Sequence, residues 1–301
     1  MRASIPISVV IPARNRVSLI ETALASVLAQ SHPAQEIIVV DDCSTDGTAD
    51  IAAQLPGVTV IRHPRPAGAQ AARNTGILAS TNEWIAFNDS DDTWLADKLE
   101  VQHHRLVELK GNAGFVLHTA GMRVDVDFGR VMPLHIPHIE GDCYATLLAR
   151  PGPMFQGLLV HRSKLRQIGL LDTLCPSYQE WDTAIRLASC TKFSFIDRPL
   201  FLWHRHGEGS ISDNRGRDFL GYCYVTLKHR AEIERVLGMK GWHTARANAL
   251  ARGLRLGCFE DVLMSATAPQ ELLIETVAAL LARHKIGGRW AAAFMRFLGF
   301  F

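Results

Sequence analysis

An α/β fold, with a mostly parallel central sheet flanked by helices and a helical extension at the C-terminus, is what the sequence predicts. Three observations predict it. Short apolar runs alternate with helical stripes from Ile7 to Phe87. Two of these runs end in acid: Ile37-Ile38-Val39-Val40 passes into Asp41-Asp42, and Trp84-Ile85-Ala86-Phe87 leads through Asn88 into Asp89-Ser90-Asp91-Asp92. From about Phe219 onward the alternation gives way to helix formers.

Residues 7–11 read as a buried strand, which Pro12 is expected to stop because it has no N–H for the ladder. Ile20, Ala23, Leu24, Val27 and Leu28 then recur at the spacing of a helix packed on a sheet. A second strand, 37–40, leads into a helix near 45–55, with Ser44 or Asp46 as its cap. A third strand at 58–61 precedes a helix over 69–79, and the fourth strand is 84–87. Beyond Leu95 come a helix to about Leu109, a strand over 114–118, and irregular segments rich in His, Pro and Gly through 157. Phe219, Tyr222, Cys223, Thr226, Arg230, Ile233 and Leu237 fall at helical spacing. The boundary is therefore set at 215, with one domain over 1–215 (halves of about 1–110 and 111–215) and a helical region over 216–301.

Composition narrows the function. A chain of 301 residues that is 48% hydrophobic can bury a full core, and a formal charge of +2 makes no field that would select nucleic acid. The six cysteines show no zinc spacing and suit reduced thiols in a cytoplasmic protein. Pro6 and Pro12 interrupt the N-terminal apolar stretch, so no signal peptide is expected, and no apolar run reaches the ~20 residues of a membrane-spanning helix. Trp290, Phe294, Phe297, Leu298 and Phe301, flanked by Arg289 and Arg296, form a stripe too short to cross. It suits either peripheral contact at the inner membrane face, near a lipid-linked acceptor, or docking on the protein's own body or a second subunit through 219–301.

Alternating strands and helices imply parallel strands with right-handed crossovers, whose ligands bind beyond the carboxyl ends of the strands. The loops Arg14-Asn15-Arg16, Asp41-Asp42 and Asp89 to Asp92 would then share one rim. Three carboxylates within four positions repel one another, and a hard cation such as Mn²⁺ or Mg²⁺ is what most readily holds them together beside phosphates.

Ile7-Ser8-Val9-Val10-Ile11-Pro12, the run from Ile38 to Thr48, Ala72-Arg73-Asn74-Thr75-Gly76 and Asn88 to Trp94 resemble, in order, the signature segments of family 2 inverting glycosyltransferases. The resemblance covers about residues 5–215. It implies the GT-A fold, a Rossmann-like arrangement, and transfer of a sugar from a nucleoside diphosphate, UDP foremost, to an acceptor hydroxyl of a glycan or lipid-linked acceptor in cell-surface polysaccharide or lipopolysaccharide synthesis. It assigns base recognition to Asp42, which can accept from the imino N–H of uracil or guanine. Asp89 and Asp91 are the DXD-type pair, one of which steadies the ribose, Asp91 and Asp92 hold the metal, and Pro12, Arg14, Asn15, Arg73, Asn74, Ser90 and His206 approach the donor. Aligned on Arg186, the segment Gln179-Glu180-Trp181-Asp182 puts the catalytic base on Glu180, while Asp182 and Arg186, at i and i+4, read as an ion pair. Two other readings stand beside this one. A sugar nucleotidyltransferase would want a glycine-rich loop after the first strand, and Pro12-Ala13-Arg14-Asn15-Arg16 has no glycine. A donor-binding assembly module without catalysis would keep the pocket alone.

Overall fold

The computed structural model describes residues 5–205 and 214–258. The chain divides into two compact units: Met1–Leu147, Pro151–Leu174 and Gln179–Gly207 form the first, and Leu148–Arg150, Cys175–Tyr178 and Glu208–Phe301 the second.

The first unit is built on a nine-stranded mixed sheet. Its elements in chain order are β1 (Ile7–Ala13), α1 (Ile20–Leu28), β2 (Glu36–Asp41), α2 (Thr48–Gln54), β3 (Val58–Arg62), α3 (Ala69–Ala79), β4 (Trp84–Phe87), β5 (Thr93–Trp94), α4 (Lys98–Glu108), β6 (Phe115–Asp125), β7 (Arg130–Pro133), α5 (Tyr144–Ala149, whose last residues fall in the second unit), β8 (Leu159–His161), α6 (Arg162–Gln167), α7 (Gln179–Ala188) and β9 (Lys192–Arg205). The strand order is β3-β2-β1-β4-β8-β6-β9-β5, with β7 paired to β6. Strands β3, β2, β1 and β4 are all parallel, so their carboxyl ends open on one side. β8 then enters antiparallel between β4 and β6, and β9 runs parallel to β6.

β1 is buried along its whole length, as are Ile37 to Val40 of β2, because helices cover both faces of a parallel sheet. α1 turns Ile20, Ala23, Leu24 and Val27 inward, while Leu28 is exposed. α3 lies so close to β1 that a Cβ on Gly76 would stand 2.4 Å from Val10 Cγ1.

Three expectations need correction. Pro12 does not stop β1: it lies in register with Val40, and the strand continues to Ala13. β4 pairs with β1 only as far as Val10, so on that flank there is no strand at residue 12 for the missing N–H to fail. Neither Ser44 nor Asp46 caps α2 in the usual sense; Gly47 occupies the N-cap position with φ 89°. The stretch read as irregular through 157 contains most of β6, the β7 hairpin and α5. β6 is 11 residues long, and its pairing with β9 is interrupted by register shifts near Ala120 that blur the alternation.

In the second unit α8 (Arg215–Lys228) buries Phe219, Tyr222, Cys223 and Thr226, and α9 (Arg230–Leu256) begins after His229, which breaks the stripe read through Leu237. Gly238 has φ 70° and kinks α9. Arg252 ties the two helices together with paired bonds of 2.5 and 2.8 Å to Asp218, its guanidinium 5.1 Å from the Tyr178 ring centroid. Among the described residues no helix is long and apolar enough to cross a membrane. The stripe from Trp290 to Phe301 lies outside the described residues.

Candidate active site

The carboxyl ends of β1, β2 and β4 bring three loops together, and short hydrogen bonds hold them. Asn15, with φ 50°, donates its N–H to Ser44 Oγ at 2.9 Å and accepts from Thr45 N at 3.0 Å. Arg16 N bonds Thr48 Oγ at 2.7 Å, and Val17 N reaches Asp46 Oδ2 at 3.1 Å. The other side of the same loop meets the second acidic cluster: Arg16 Nε lies 3.4 Å from Asp91 Oδ2. One short loop thus touches both acidic segments.

At the end of β2, Asp41 and Asp42 are both buried. Asp41 takes the Ser44 N–H on Oδ2, and its Oδ1 has no hydrogen-bond partner among the described residues. Asp42 accepts from His63 Nδ1 at 2.8 Å, Ala67 N at 2.7 Å and Gly68 N at 2.8 Å. Burial pushes its carboxyl up, but the bonds from His63, Ala67 and Gly68 outweigh it and hold the group below the ordinary carboxylate value.

The cluster after β4 is a network of acids around two neutral or cationic bridges. Arg73 is buried on α3; it bonds Asp89 and, at 2.7 Å, Gln70, and its guanidinium lies 4.4 Å from the Phe155 ring centroid. Gln156, in the single 3₁₀ turn over Phe155–Gly157, donates to Asp89 Oδ2 at 2.8 Å and to Asp92. Asp92 also accepts the His204 N–H at 2.9 Å. Its side chain is 2% exposed against 29% for Asp91. Burial first, then the charges of Asp89 and Asp91, push Asp92 well above the ordinary carboxylate value, against the bonds from His204 and Gln156.

Glu180 stands in the first turn of α7 and is half-buried. Desolvation raises its pKa above 4.5; the Arg73 charge opposes the shift and the Asp89 charge adds to it, which sets Glu180 in the same field as those two groups. Asp182 and Arg186 form the ion pair read from their spacing, at 2.7 Å, and Arg186 also caps the Ile168 carbonyl at 2.8 Å.

Of the residues singled out from sequence, Arg73, Asp89, Asp91, Asp92 and Glu180 are joined by these contacts and fields, while Asp42 is held by His63, Ala67 and Gly68. Pro12 and Ser90 are buried beside them in the chain, and Arg14 is exposed. Both ends of the Asn74 amide hold the backbone of Leu171, at 2.8 and 2.9 Å. His206 lies outside the described residues. Arg16, His63, Gln156 and His204 were not singled out. His63 directly follows β3, whose end the strand alternation already puts on this rim; Gln156 carries no sequence signal, since only the insertion of β8 beside β4 brings it to the acids.

Among the described residues no three His, Cys, Asp or Glu side chains are arranged to hold a metal ion by themselves. The donor set nevertheless fits a divalent cation of the Mg²⁺ or Mn²⁺ kind, which takes one or two carboxylates and completes its shell with substrate phosphates and water. A carboxyl group as strongly disfavoured in its ionised form as Asp92 is one whose charge a nearby cation would compensate.

Residues 8–130 match the model of Glycosyl transferase family 2. Over these residues the chain is similar to that family. TuaG of Bacillus subtilis (strain 168), a glycosyltransferase named for teichuronic acid biosynthesis, is 43% identical over 106 residues, covering 34% of this chain and 42% of TuaG. WfgD of Escherichia coli, a UDP-Glc:alpha-D-GlcNAc-diphosphoundecaprenol beta-1,3-glucosyltransferase, is 34% identical over 112 residues, 36% of this chain and 44% of that protein. The chain therefore spans less than half the length of either family 2 relative. In fold it is like S. aureus TarS 1–349, solved in complex with UDP-GlcNAc, with a TM-score of 0.64 at 16% identity over 93% of this chain and 92% of that one. The fold here is thus of the GT-A type.

Proposed function

We propose that this protein is a metal-dependent inverting glycosyltransferase that moves a sugar from a UDP-sugar to the hydroxyl of a glycan or lipid-linked acceptor in cell-surface polysaccharide synthesis. The observation that carries the reading is the 14–17 loop, which bonds the Ser44–Thr48 segment behind Asp42 and pairs with Asp91. That bridging supports a single ligand shared by the base-reading and phosphate-reading carboxylates. UDP-GlcNAc bound to TarS and the UDP-glucose and lipid-diphosphate substrates in the name of WfgD support the choice of donor and acceptor class.

Asp42 accepts the imino N–H of the base, and Asp89, oriented by Arg73 and Gln156, accepts from the ribose hydroxyls. Asp91 is the accessible carboxylate for a cation on the diphosphate, with Asp92 behind it. When bound, that cation supplies Lewis-acid stabilisation of the departing diphosphate. Glu180 takes the proton of the acceptor hydroxyl as its oxygen bonds the anomeric carbon, while the bond from that carbon to the diphosphate breaks and its electron pair leaves with UDP. In-line attack inverts the anomeric configuration. The raised pKa of Glu180 suits it to this step, because a stronger base accepts the proton more readily near neutral pH.

Single-turnover kinetics with a UDP-sugar and Mn²⁺ test the assignment. Glu180→Gln should bind UDP within about twofold of the unaltered protein and lose turnover by ~10²–10⁴. In the unaltered protein the acid limb of kcat should lie above 4.5, the ordinary Glu value. Unchanged turnover removes Glu180 from the role of base; absence of any UDP or UDP-sugar binding removes the whole reading.

A further inference from the structure

The segment between β3 and α3 folds back over Asp42 so that protein donors fill nearly all of its acceptor capacity. An ionised carboxylate has about four lone-pair positions and donates nothing. Oδ1 of Asp42 takes two donors, His63 Nδ1 and Ala67 N, and Oδ2 takes one, Gly68 N. Among the described residues one position remains, on Oδ2. The side chain of Asp42 is only 4% exposed.

His63 is in turn held from behind. Because the carboxylate can only accept, Nδ1 of His63 carries the proton, and in the neutral ring Nε2 is then an acceptor. Thr75 Oγ, on α3, stands 2.9 Å from Nε2 and supplies that donor. The His63 backbone N–H bonds the Asp41 carbonyl at 2.8 Å, which fixes the ring's origin against the end of β2. The chain Thr75–His63–Asp42 therefore sets the plane of the carboxylate. Ala67 N and Gly68 N hold one oxygen each, but they come from one loop, and without the ring that loop alone orients the carboxylate.

We propose that His63 is a positioning residue that makes Asp42 selective, by holding its one vacant acceptor position where only a nucleobase with a ring N–H can meet it. The inference rests on the proposed function, since it needs a nucleoside diphosphate at this rim. Uracil presents N3–H there. Cytosine presents a bare N3, an acceptor facing an acceptor, and its nearest donor is the exocyclic amine one atom away. A fixed Asp42 cannot follow to that amine; a loosened one can.

Titration calorimetry of UDP and CDP at constant Mn²⁺ tests this by the ratio of the two affinities. The unaltered protein should prefer UDP by ~10-fold or more, the size expected when a charge-assisted hydrogen bond is exchanged for an unpaired acceptor. His63→Ala should bring the ratio to within about threefold, with UDP weakened and CDP unchanged or strengthened. His63→Asn, whose amide N–H can replace Nδ1 on Asp42 but does not reach Thr75, should restore part of the preference. Thr75→Val, which keeps the ring but removes its donor, should give an intermediate ratio and carries the test if His63→Ala does not fold. A purely structural role for His63 would weaken both nucleotides alike, and an unchanged ratio in His63→Ala and Thr75→Val overturns the proposal while leaving the glycosyltransferase reading intact. Failure of the unaltered protein to bind either nucleotide overturns both.

Discussion

Asp92 is held in the site at the expense of the fold. It is 1% exposed, and burial together with Asp89 and Asp91 raises its pKa well above the ordinary 3.8. A carboxyl whose folded pKa exceeds its unfolded one adds stability that is complete below the unfolded value and is lost as pH rises through the folded value. Asp92→Asn, which keeps the shape and cannot ionise, should therefore raise the melting temperature at pH 7.5 by ~2–4 °C for each ~1 kcal/mol relieved, and the gain should shrink toward pH 4. Differential scanning calorimetry across that range checks it; a variant less stable than the parent at pH 7.5 would mean that the Gln156 and His204 bonds outweigh the repulsion. The acids of this site were legible in the sequence because repulsion makes a run such as Asp89 to Asp92 conspicuous. Gln156 and His63 were not, since a neutral amide and a lone histidine acquire meaning only from the neighbours that chain topology gives them.

Among the elements, α3 links both halves of the rim, carrying Arg73 to Asp89 and Thr75 to His63. Its closeness to β1 depends on Gly76, where a Cβ would meet Val10 Cγ1 at 2.4 Å and Val10 Cγ2 at 3.1 Å. Val10 is fully buried in a strand paired on both sides, so it has little room to yield. Gly76→Ala should cost ~1–3 kcal/mol, read as a lower urea midpoint at unchanged slope, despite the better helix propensity of alanine. A midpoint at or above that of the parent would show that α3 can shift away from the sheet. The βα repeats through β4 were legible because β1, β2 and β4, buried on both faces, read as unbroken apolar runs bounded by helical stripes. Most of β6, with β7 and β8, escaped because their pairing is antiparallel or bulged and partly exposed: β7 is exposed throughout, and β8 has only three residues. Pro12 misled for a related reason, since whether a proline ends a strand depends on which neighbour reaches that far.

For the whole molecule, the groups proposed to meet the nucleotide and its cation, Asp42, Asp89, Asp91 and Asp92, come from the loops after β2 and β4, both in the first of the two units. A ligand that joins them binds the folded state and not the unfolded chain, so it stabilises by mass action: at a hundred times its Kd, by ~2.7 kcal/mol. For a unit of this size UDP with Mn²⁺ should raise the melting temperature by ~5–10 °C. The dependence on each component is what makes the measurement diagnostic. UMP lacks the second phosphate that shares the cation and should give a smaller shift, and chelation of Mn²⁺ should take away most of the UDP effect. Asp91→Asn should abolish the Mn²⁺ dependence and leave a residual shift from base and ribose contacts. A shift of equal size with and without the cation would separate nucleotide binding from metal binding at this rim, and leave Asp91 and Asp92 to be explained by their bonds to Arg16, Gln156 and His204 alone.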